Sequence, residues 1–437
     1  MPWLISGYLV VATVATPIYG KLSDLYGRWP MLSTAIGIYL FASLASAAAQ
    51  TMPQLLGFRL LQGLGGGGLI VLVQSIIADI VPRQQRGRYQ AYLSGVFAVA
   101  AIIGPVVGGL LTEHLSWRAV YLFNVPLAIA AWLITRRGLA RLPRLSRDKP
   151  IDYLGALLLG ATLTTMMLAL ARIGRGAPLF EPTSLSLLAI AIVALLALQW
   201  RERRAADPIL PPELFRNRTV VLCCAVLGVD FMIMYGCIVT VPLALQMVGG
   251  VSAGEMAVVM LPFTLGVPVG SYYSGKLMQH AARERVLLST GTAMTTLGAL
   301  IIALIDYQSG WPLFVALLMT GTGVGLCIPA SVVAVQAAVQ PAQIGIATAT
   351  SGMARTLGGA LGIALMSAML FAAISAEALT PAAGALLPAA SQSLLGQADP
   401  ADLENGFRAA FWSATVAGVI GIALALQLRR PARATLA

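Results

Sequence analysis

Long apolar runs alternate with short polar segments from one end of the chain to the other. Each run approaches the roughly 20 residues that an α-helix needs to cross a bilayer. The runs are continuous and do not alternate residue by residue, which favours helices over the strands of a membrane barrel. The pattern therefore predicts an all-α, polytopic membrane protein with about 13 transmembrane helices, near residues 3–20, 30–49, 55–80, 89–111, 119–135, 151–171, 184–200, 219–247, 256–275, 286–305, 312–336, 346–373 and 406–428.

Two basic segments that contain proline divide the chain. Residues 136–150 and 201–218 are predicted to be cytoplasmic linkers, because charge and proline both disfavour a transmembrane helix. A third segment, 374–405, is rich in Ala, Ser, Pro and Leu and is predicted to be an outer loop with one short helix. The predicted domains are an N-terminal helical bundle (1–135), two extra helices with their linkers (136–218), and a C-terminal bundle with a short cytoplasmic tail (219–437).

Charge is scarce and unevenly placed. The 437-residue chain is 58% hydrophobic and 10% charged, with a mean hydropathy of +0.84, whereas soluble proteins have about 25% charged residues. If the segment 20–28 faces the cytoplasm, cytoplasmic segments hold 22 Lys and Arg and the opposite side holds 4. This bias follows the positive-inside rule. The net charge of +11 therefore predicts orientation in a cytoplasmic (inner) membrane, with lipid as a partner and no nucleic acid.

The number of predicted spans sets the sides of the two chain ends. Because the count is odd and the basic C-terminal tail is predicted to be cytoplasmic, Met1 is expected outside. A span that starts almost at Met1 gives the impression that one helix is missing before it.

Several chemistries find no support in the sequence. The four cysteines have no C-x-x-C spacing, and the two histidines lie elsewhere in the chain, so we predict no metal site. There is no phosphate-binding G-x-x-x-x-G-K-[ST] motif. No Ser/His/Asp arrangement or histidine cluster is present either. We therefore predict a protein that is not an enzyme and has no cofactor.

The first candidate element is the polar segment between the first two predicted spans. Gly20 and Gly27 bracket Lys21 and Asp24, and Arg28 follows. Gly20 would let two helix backbones approach closely, whereas Asp24 would cap the next helix or pair with a nearby base. Lys21 and Arg28 could extend to lipid phosphates. We interpret the segment as a joint between moving helices, because an ordinary polar turn needs neither Asp24 nor two glycines.

The second candidate element places a charge inside a predicted span. Arg59 lies several residues into the span, and Gln62 is one turn further on the same helix face. A charge near the bilayer centre costs roughly 2.5–3.5 kcal/mol, so such residues usually face an interior or a cavity. The alternative is an arginine that extends to the nearby membrane surface.

The third candidate element is Gly104-Pro105-Val106-Val107-Gly108-Gly109. Proline removes a backbone donor and bends a helix, and glycines four residues apart allow close helix contact. The sequence predicts a bent, closely packed helix, with a passive kink as the alternative.

Three further charged residues are candidates for function. Asp230 lies in mid-span with Tyr235 nearby, and a buried carboxylate can load and release a proton. The alternative is an aspartate that only bonds a neighbouring helix. Asp79, beside Pro82-Arg83, is expected to be an ion-pair partner of the joint. Arg355 lies inside a span or at its cytoplasmic end, where it could bind anionic groups or extend to the membrane surface.

Short internal echoes support two related halves. Tyr19-Gly20-Lys21-Leu22 recurs as Tyr273 followed by Gly275-Lys276-Leu277, and the glycines of 63–68 recur at 321–325. Internal repeats of this kind are typical of transporter folds.

The three elements in this order, followed by S-W-R-x-x-Y-L-F-N-V-P at 116–126, resemble the major facilitator superfamily, and most closely its 14-helix drug:proton antiporter branch. The element 20–28 resembles the loop between family helices 2 and 3, and Arg59 matches the buried arginine of helix 4. Gly104, Pro105, Gly108 and Gly109 match the antiporter motif of helix 5. By this resemblance the 13 spans correspond to family helices 2 to 14, and helix 1 is absent.

The resemblance implies a secondary active transporter that works by alternating access. It would couple inward proton movement to efflux of amphipathic or cationic small molecules, so its partners would be the substrate and protons, with a periplasmic adaptor protein as a further partner. Implied proton-coupling residues are Asp230 and Arg59, and the implied cavity residues are Gln62, Tyr235 and Arg355. The implied latch comprises Gly20, Lys21, Asp24, Gly27, Arg28, Asp79 and Arg83. The alternatives are a metabolite exporter or importer of the same fold, or a truncated membrane protein that does not transport.

Overall fold

The computed structural model describes residues 2–139, 152–248, 251, 253–278, 284–305, 310–373 and 400–428. Over these residues the chain is helical and contains no strand. The helices are α1 (Pro2–Tyr26), α2 (Arg28–Ala48), α3 (Met52–Ile80), α4 (Arg83–His114), α5 (Trp117–Leu139), α6 (Tyr153–Ile173), α7 (Pro182–Glu202), α8 (Pro212–Arg216), α9 (Arg218–Met247), α10 (Ala253–Val259), α11 (Leu261–Met278), α12 (Glu284–Leu304), α13 (Gly310–Ala337), α14 (Ile344–Ala373) and α15 (Pro400–Leu426).

A long helix occupies each of the 13 predicted span positions. Eleven of the helices found in the described ranges are long and apolar enough to cross a membrane, which confirms the all-α membrane fold. The other two long helices, α1 and α11, correspond to the predicted spans 3–20 and 256–275. The second of these spans is interrupted at Met260, between α10 and α11. Pro262, just after the interruption, has no amide proton to continue the hydrogen-bond ladder of α10.

The predicted polar turn 20–28 proved to be mostly helix. Residues up to Tyr26 belong to α1, and α2 begins at Arg28, so the connection is Gly27 alone. Gly27 has φ of 94°, a left-handed conformation that is costly for residues with a Cβ atom. The helices extend further than the predicted spans because the charges of this segment have partners on neighbouring helices, Asp24 on α14 and Arg28 on α3.

Glycines of α3 set the spacing of the first three helices. A Cβ atom on Gly63 would lie 2.6 Å from the carbonyl oxygen of Tyr8 in α1. A Cβ atom on Gly65 would lie 2.7 Å from the backbone nitrogen of Tyr39 in α2. Such backbone-to-backbone contact is typical of membrane helices, where small residues replace the hydrophobic effect as the basis of association.

The same arrangement recurs in the second half of the chain. In α13, Gly321 and Gly325 contact the backbone of α11 at Phe263 and Val267. Gly323, on the other face, contacts α12 at Gly291. The sequence echo between 63–68 and 321–325 is therefore also a structural echo, with α1, α2 and α3 corresponding to α11, α12 and α13.

The two related sets of helices meet along two flanks. On one flank Gly20 of α1 faces Gly345 of α14, and its Cβ atom would lie 2.7 Å from the Gly345 carbonyl oxygen. On the other flank Gly275 of α11 faces Gly87 of α4, with 2.6 Å to the corresponding oxygen. Gly20 and Gly275 are the glycines of the Y-G-K-L echo, so each half contacts the other through the same repeated residue.

The extra helix pair α6–α7 covers the first of these flanks. Leu170 and Ile173 of α6 form an apolar cluster with Ala364 of α14, and Gly160 of α6 approaches Val14 of α1 at 3.3 Å. One helix thus packs against both halves. The predicted linker 136–150 lies mostly outside the described residues, as does the predicted loop 374–405, whose last residues belong to α15.

We expect Gly65→Ala to destabilise the protein by about 1–3 kcal/mol, because the added methyl group must push α3 away from the α2 backbone. The matched control is Gly57→Ala on the same helix, where a Cβ atom meets nothing within 4 Å. That change should be neutral or stabilise by roughly 0.5–1 kcal/mol through helix propensity. Thermal unfolding of the detergent-solubilised variants measures both, and equal melting temperatures would contradict the expectation.

Candidate functional site

The carboxylate of Asp24 lies at the beginning of α14. It accepts hydrogen bonds from the backbone amides of Gly345 and Ile346, both at 2.9 Å. These amides belong to the first turn of the helix, where backbone donors have no intrahelical acceptor and the helix dipole is positive. Asp24 therefore caps a helix more than 300 residues away in sequence, and not the next helix as its position suggested.

Arg28 holds this carboxylate in place. Its guanidinium group donates to Asp24 Oδ1 at 2.7 Å, to Ser23 Oγ at 2.6 Å and to Asp79 Oδ2 at 2.7 Å. The ion pair between Arg28 and Asp24 is almost completely buried. The expectation that Asp79 pairs with this segment is confirmed by the contact. Arg28 does not extend to lipid, because two carboxylates use its donors.

Lys21 has an acidic partner in the second linker. Its Nζ atom lies 2.9 Å from Asp207 Oδ1, so the expectation of a lipid-facing lysine was wrong. The linker is held nearby because the buried carboxylate of Glu202 accepts the backbone amide of Leu210 at 3.2 Å. Asn217, at the end of the linker, donates to the carbonyl oxygen of Ala338 at 2.7 Å.

Two further polar contacts join the halves at the same end of the molecule. Arg83 of α4 lies 3.1 Å from Glu284 of α12. Gln336 of α13 donates to the carbonyl oxygen of Gln74 of α3 at 3.2 Å. We call this end, defined by Asp24, Arg28, Asp79, Arg83 and Glu284, the latch end.

A cavity of about 330 Å³ lies between the two halves. Helices α1, α3 and α4 supply one wall, and α9 and α14 supply most of the other. The lining residues are Tyr8, Leu9, Ala12, Thr13, Thr16, Gly66, Gly67, Ile70, Val71, Gln74, Gln90, Leu93, Ser94, Phe97, Phe231, Met234, Tyr235, Val267, Ile328, Thr348, Gly352, Arg355 and Thr356. Of the three residues expected in a cavity, Tyr235 and Arg355 are present and Gln62 is not.

Gln62 lies behind the cavity wall, where it orients Arg59. It accepts a hydrogen bond from Arg59 Nη1 at 2.6 Å and donates to Ser43 Oγ at 2.8 Å. The guanidinium group lies over the ring of Tyr8, 4.7 Å from the centroid. The expected interior position of Arg59 agrees with this geometry, whereas Gln62 is buried against α2 because its amide is satisfied there.

Asp230 also lies behind the wall, inside the C-terminal half. It is fully buried, and its Oδ2 atom accepts a hydrogen bond from Thr292 of α12 at 3.1 Å. Its Oδ1 atom has no hydrogen-bond partner in the described structure. Phe231, the next residue along α9, lines the cavity. The Asp230 carboxylate is therefore on the side of α9 that faces away from the cavity.

Arg355 faces the cavity without an acidic partner. Its guanidinium carbon lies 5.3 Å from the centroid of the Phe231 ring. It forms no ion pair or hydrogen bond with any residue that the structure describes. An arginine that only extended to the membrane surface would lie at a helix end, whereas Arg355 lies in the middle third of α14 and lines the cavity.

The expected close packing at the glycine–proline motif of α4 is not present. A Cβ atom on Gly104, Gly108 or Gly109 would meet nothing within 4 Å in the described structure. The helix continues through Pro105, and its neighbours Ile103 and Val106 are exposed. The prediction fails here because none of the described helices packs on this face of α4.

Sequence reasoning missed several residues that the structure brings together. Gln74 and Gln90 meet across the cavity wall, where Gln74 Nε2 lies 3.3 Å from Gln90 Oε1. Because glutamine side chains are uncommon within apolar spans, the positions of Gln74 and Gln90 in such spans could have indicated a role. Glu284 and Asp207 gave no such signal, because an acid near a basic segment has many potential partners.

Comparison with known proteins places these observations in a family. Residues 1–363 match the sequence model of the Major Facilitator Superfamily. An uncharacterized MFS-type transporter of Mycobacterium tuberculosis is 34% identical over 370 residues, which cover 84% of this chain and 53% of that protein. The multidrug transporter protein MdtP of Bacillus subtilis is 30% identical over 374 residues, covering 85% and 68%. The chain thus spans about half the length of the first of these relatives. The names are those of transporters and not of enzymes, as predicted.

Solved structures share the fold at low sequence identity. The human organic anion transporter MFSD10 superposes with a TM-score of 0.67 at 16% identity, over 97% of this chain and 83% of that chain. The proton:xylose symporter XylE superposes with a TM-score of 0.59 at 14% identity, over 96% and 84%.

We expect Gln62→Leu to destabilise the protein by about 1–3 kcal/mol, because Arg59 and Ser43 would lose their shared partner inside the membrane. Gln85→Leu is the matched control, since Gln85 is exposed on α4 and the change should stay within roughly 0.5 kcal/mol. Thermal unfolding of both variants checks this, and a Gln62→Leu protein as stable as the control would contradict the assigned contact.

Proposed function

The chain belongs to the Major Facilitator Superfamily, and we propose that it is a secondary active transporter in which inward proton movement drives export of amphipathic small molecules. The proposal includes alternating access, a cytoplasmic-membrane location with the latch end and the C-terminus in the cytoplasm, and a periplasmic adaptor protein as a further partner. It also includes the division into bundles 1–135 and 219–437 with the extra pair in 136–218.

One observation carries the transport proposal. A cavity lies between two halves that repeat the same glycine contacts, and the polar contacts described between the halves lie at its latch end. Rocking of two repeated bundles about a central site is how such folds expose that site to each side in turn. The Asp24 bond to α14 would have to break whenever the latch end opens. The structure then corresponds to a state closed at the latch end.

Asp230 supports the coupling to protons. A fully buried carboxylate with one satisfied oxygen is stable when protonated, and it becomes costly when charged unless water or a cation reaches it. Opening of the cavity wall between Phe231 and α12 would supply that access. Arg59 is the weaker coupling candidate, because Gln62 and Tyr8 already satisfy its guanidinium group.

A sequence motif and the names of relatives support export as the direction of transport. The glycine–proline motif of α4 matches the motif of antiporters, and relatives carry the names multidrug transporter and multidrug resistance protein. The apolar and aromatic cavity wall suits amphipathic substrates.

The test measures proton-driven transport of a panel of anionic, neutral and cationic fluorescent amphipathic molecules into inside-out vesicles from pump-deficient cells. We expect uptake that needs the proton gradient, and we expect Asp230→Asn to reduce it at least about ten-fold while substrate binding persists, since the amide cannot carry a proton. Glu113→Gln, an exposed carboxyl at the end of α4, is the matched control and should transport normally.

Each other outcome has a separate meaning. Uptake that is unaffected by Asp230→Asn would remove Asp230 from the coupling mechanism but leave transport in place. Uptake of hydrophilic metabolites alone would favour a metabolite transporter of the same fold. If protein in the membrane moves no probe with or without a gradient, the transport proposal fails.

We further expect Asp24→Asn to open the latch end. The amide weakens the charge-assisted bonds to Gly345, Ile346 and Arg28, and a loss of about 1.5 kcal/mol raises an open population about ten-fold. Ser94→Cys in the cavity wall is the reporter, labelled by an impermeant maleimide applied from the latch end. Labelling of Ser94→Cys alone and of Ser94→Cys with Glu113→Gln gives the baseline. An unchanged labelling rate would contradict the latch.

A further inference from the structure

The charge of the cavity wall points to one class of substrate. Of the described residues that line the cavity, Arg355 is the one with a full charge, and no described carboxylate lines it. Asp230 is adjacent in sequence to the lining residue Phe231, but its carboxylate is turned towards Thr292 in the interior of the C-terminal half. A second cation, Arg59, lies directly behind the wall over the ring of Tyr8. The one full charge on the described cavity wall is therefore positive.

Two polar groups of the wall have unused hydrogen-bond donors. Arg355 presents five N–H donors, and none is used by a described residue. The Nε2 atom of Gln90 is buried and has no partner in the described structure. The threonine hydroxyl groups of the wall are occupied as donors, because Thr13, Thr16, Thr348 and Thr356 each bond a carbonyl oxygen of their own helix.

Unpaired donors in a water-poor site are costly unless a ligand supplies acceptors. A carboxylate or sulfonate matches the planar fork of a guanidinium group with two parallel bonds, and it neutralises the charge at the same time. A cationic group would meet Arg355 with no acid to compensate. The aromatic rings of Phe231, Tyr235 and Phe97 line the same cavity and suit the apolar body of such a molecule.

We infer that the transported substrates are amphipathic organic anions, whose acidic head binds Arg355. This inference rests on the proposed function, whose cavity it uses, and it selects anionic molecules over the cationic ones that the sequence had suggested. Arg355 is a substrate-binding residue in this scheme, whereas Arg59 contributes at longer range through its charge.

The test uses three ligands that share one body and differ in the head group: 4-phenylbutyrate, 4-phenylbutanol and 4-phenylbutylamine. Titration calorimetry on the purified full chain at pH 7 measures their affinities. We expect the butyrate to bind at least about ten-fold more tightly than the amine. Arg355→Gln should weaken the butyrate about ten-fold and leave the butanol within about two-fold, whereas Arg355→Lys should fall between, because lysine keeps the charge but not the fork.

The matched control is Arg88→Gln. Arg88 is exposed on α4 and contacts Tyr92, so its removal changes the net charge by the same amount without touching the cavity. It should leave all three affinities unchanged. If Arg355→Gln loses the butanol as well, Arg355→Met, which keeps an apolar stem, replaces it in the comparison.

Three binding results overturn the inference. The first is an amine that binds the parent protein as tightly as the butyrate or more tightly. The second is a parent protein that binds none of the three ligands. The third is a butyrate preference that survives in Arg355→Gln or Arg355→Met. Proton-driven export of the amine and not of the butyrate in vesicles would also refute the inference while the proposed function stands. If vesicles move no probe, the proposed function fails, and the binding order still decides whether the cavity selects organic anions through Arg355.

Discussion

Close backbone contact at glycine is the constraint on which the rest of the structure depends. Lipid chains are as apolar as the side chains of the helices, so helix association in a membrane relies on packing and on polar contacts. Glycines of α3 and α13 bring two neighbouring helices to the same short distance in each half, and Gly20 and Gly275 do so between the halves. These glycine contacts set the spacing of the helices, and that spacing positions the cavity, the latch end and the buried charges.

The buried charges are arranged in two ways. At the latch end each described carboxylate has a donor, and Asp24 uses the amides of a distant helix together with Arg28. Around the cavity neither of the described cations, Arg355 and Arg59, forms an ion pair with a described carboxylate. The first arrangement stabilises one conformation of the protein, and the second leaves electrostatic interactions available to a ligand. The stabilising ion pairs thus lie at the latch end, and the unpaired cations lie further along the same helices.

The fold was largely predictable from the sequence, and the site only in part. Apolar runs predict helices because each run satisfies its backbone internally, and the glycine echo predicts two related halves. Asp24 and Arg28 stood out because they are charges close together between two apolar runs, and Asp79 because it lies at the end of another run. Gly345, the partner of Asp24, did not stand out, since it is far away in sequence and contributes only a backbone amide. Asp207, the partner of Lys21, is also far away in sequence. Gln62 was assigned to the cavity because it shares a helix face with Arg59. Helix spacing does not show what packs against that face, which in this structure is α2. The same limit explains Gly104 and Gly108, whose pattern predicts a contact but cannot name a partner.

The extra pair α6–α7 makes the two flanks of the molecule unequal. On the flank between α1 and α14 the seam is covered by α6, which packs against both helices. On the flank between α4 and α11 neither α6 nor α7 covers the seam. A hydrophobic solute that entered sideways from the bilayer would therefore find the α1–α14 seam covered by α6. The α4–α11 seam would remain open to the lipid. Lateral entry from the membrane would then occur only through the α4–α11 seam, although the two halves of the molecule share the same helix arrangement.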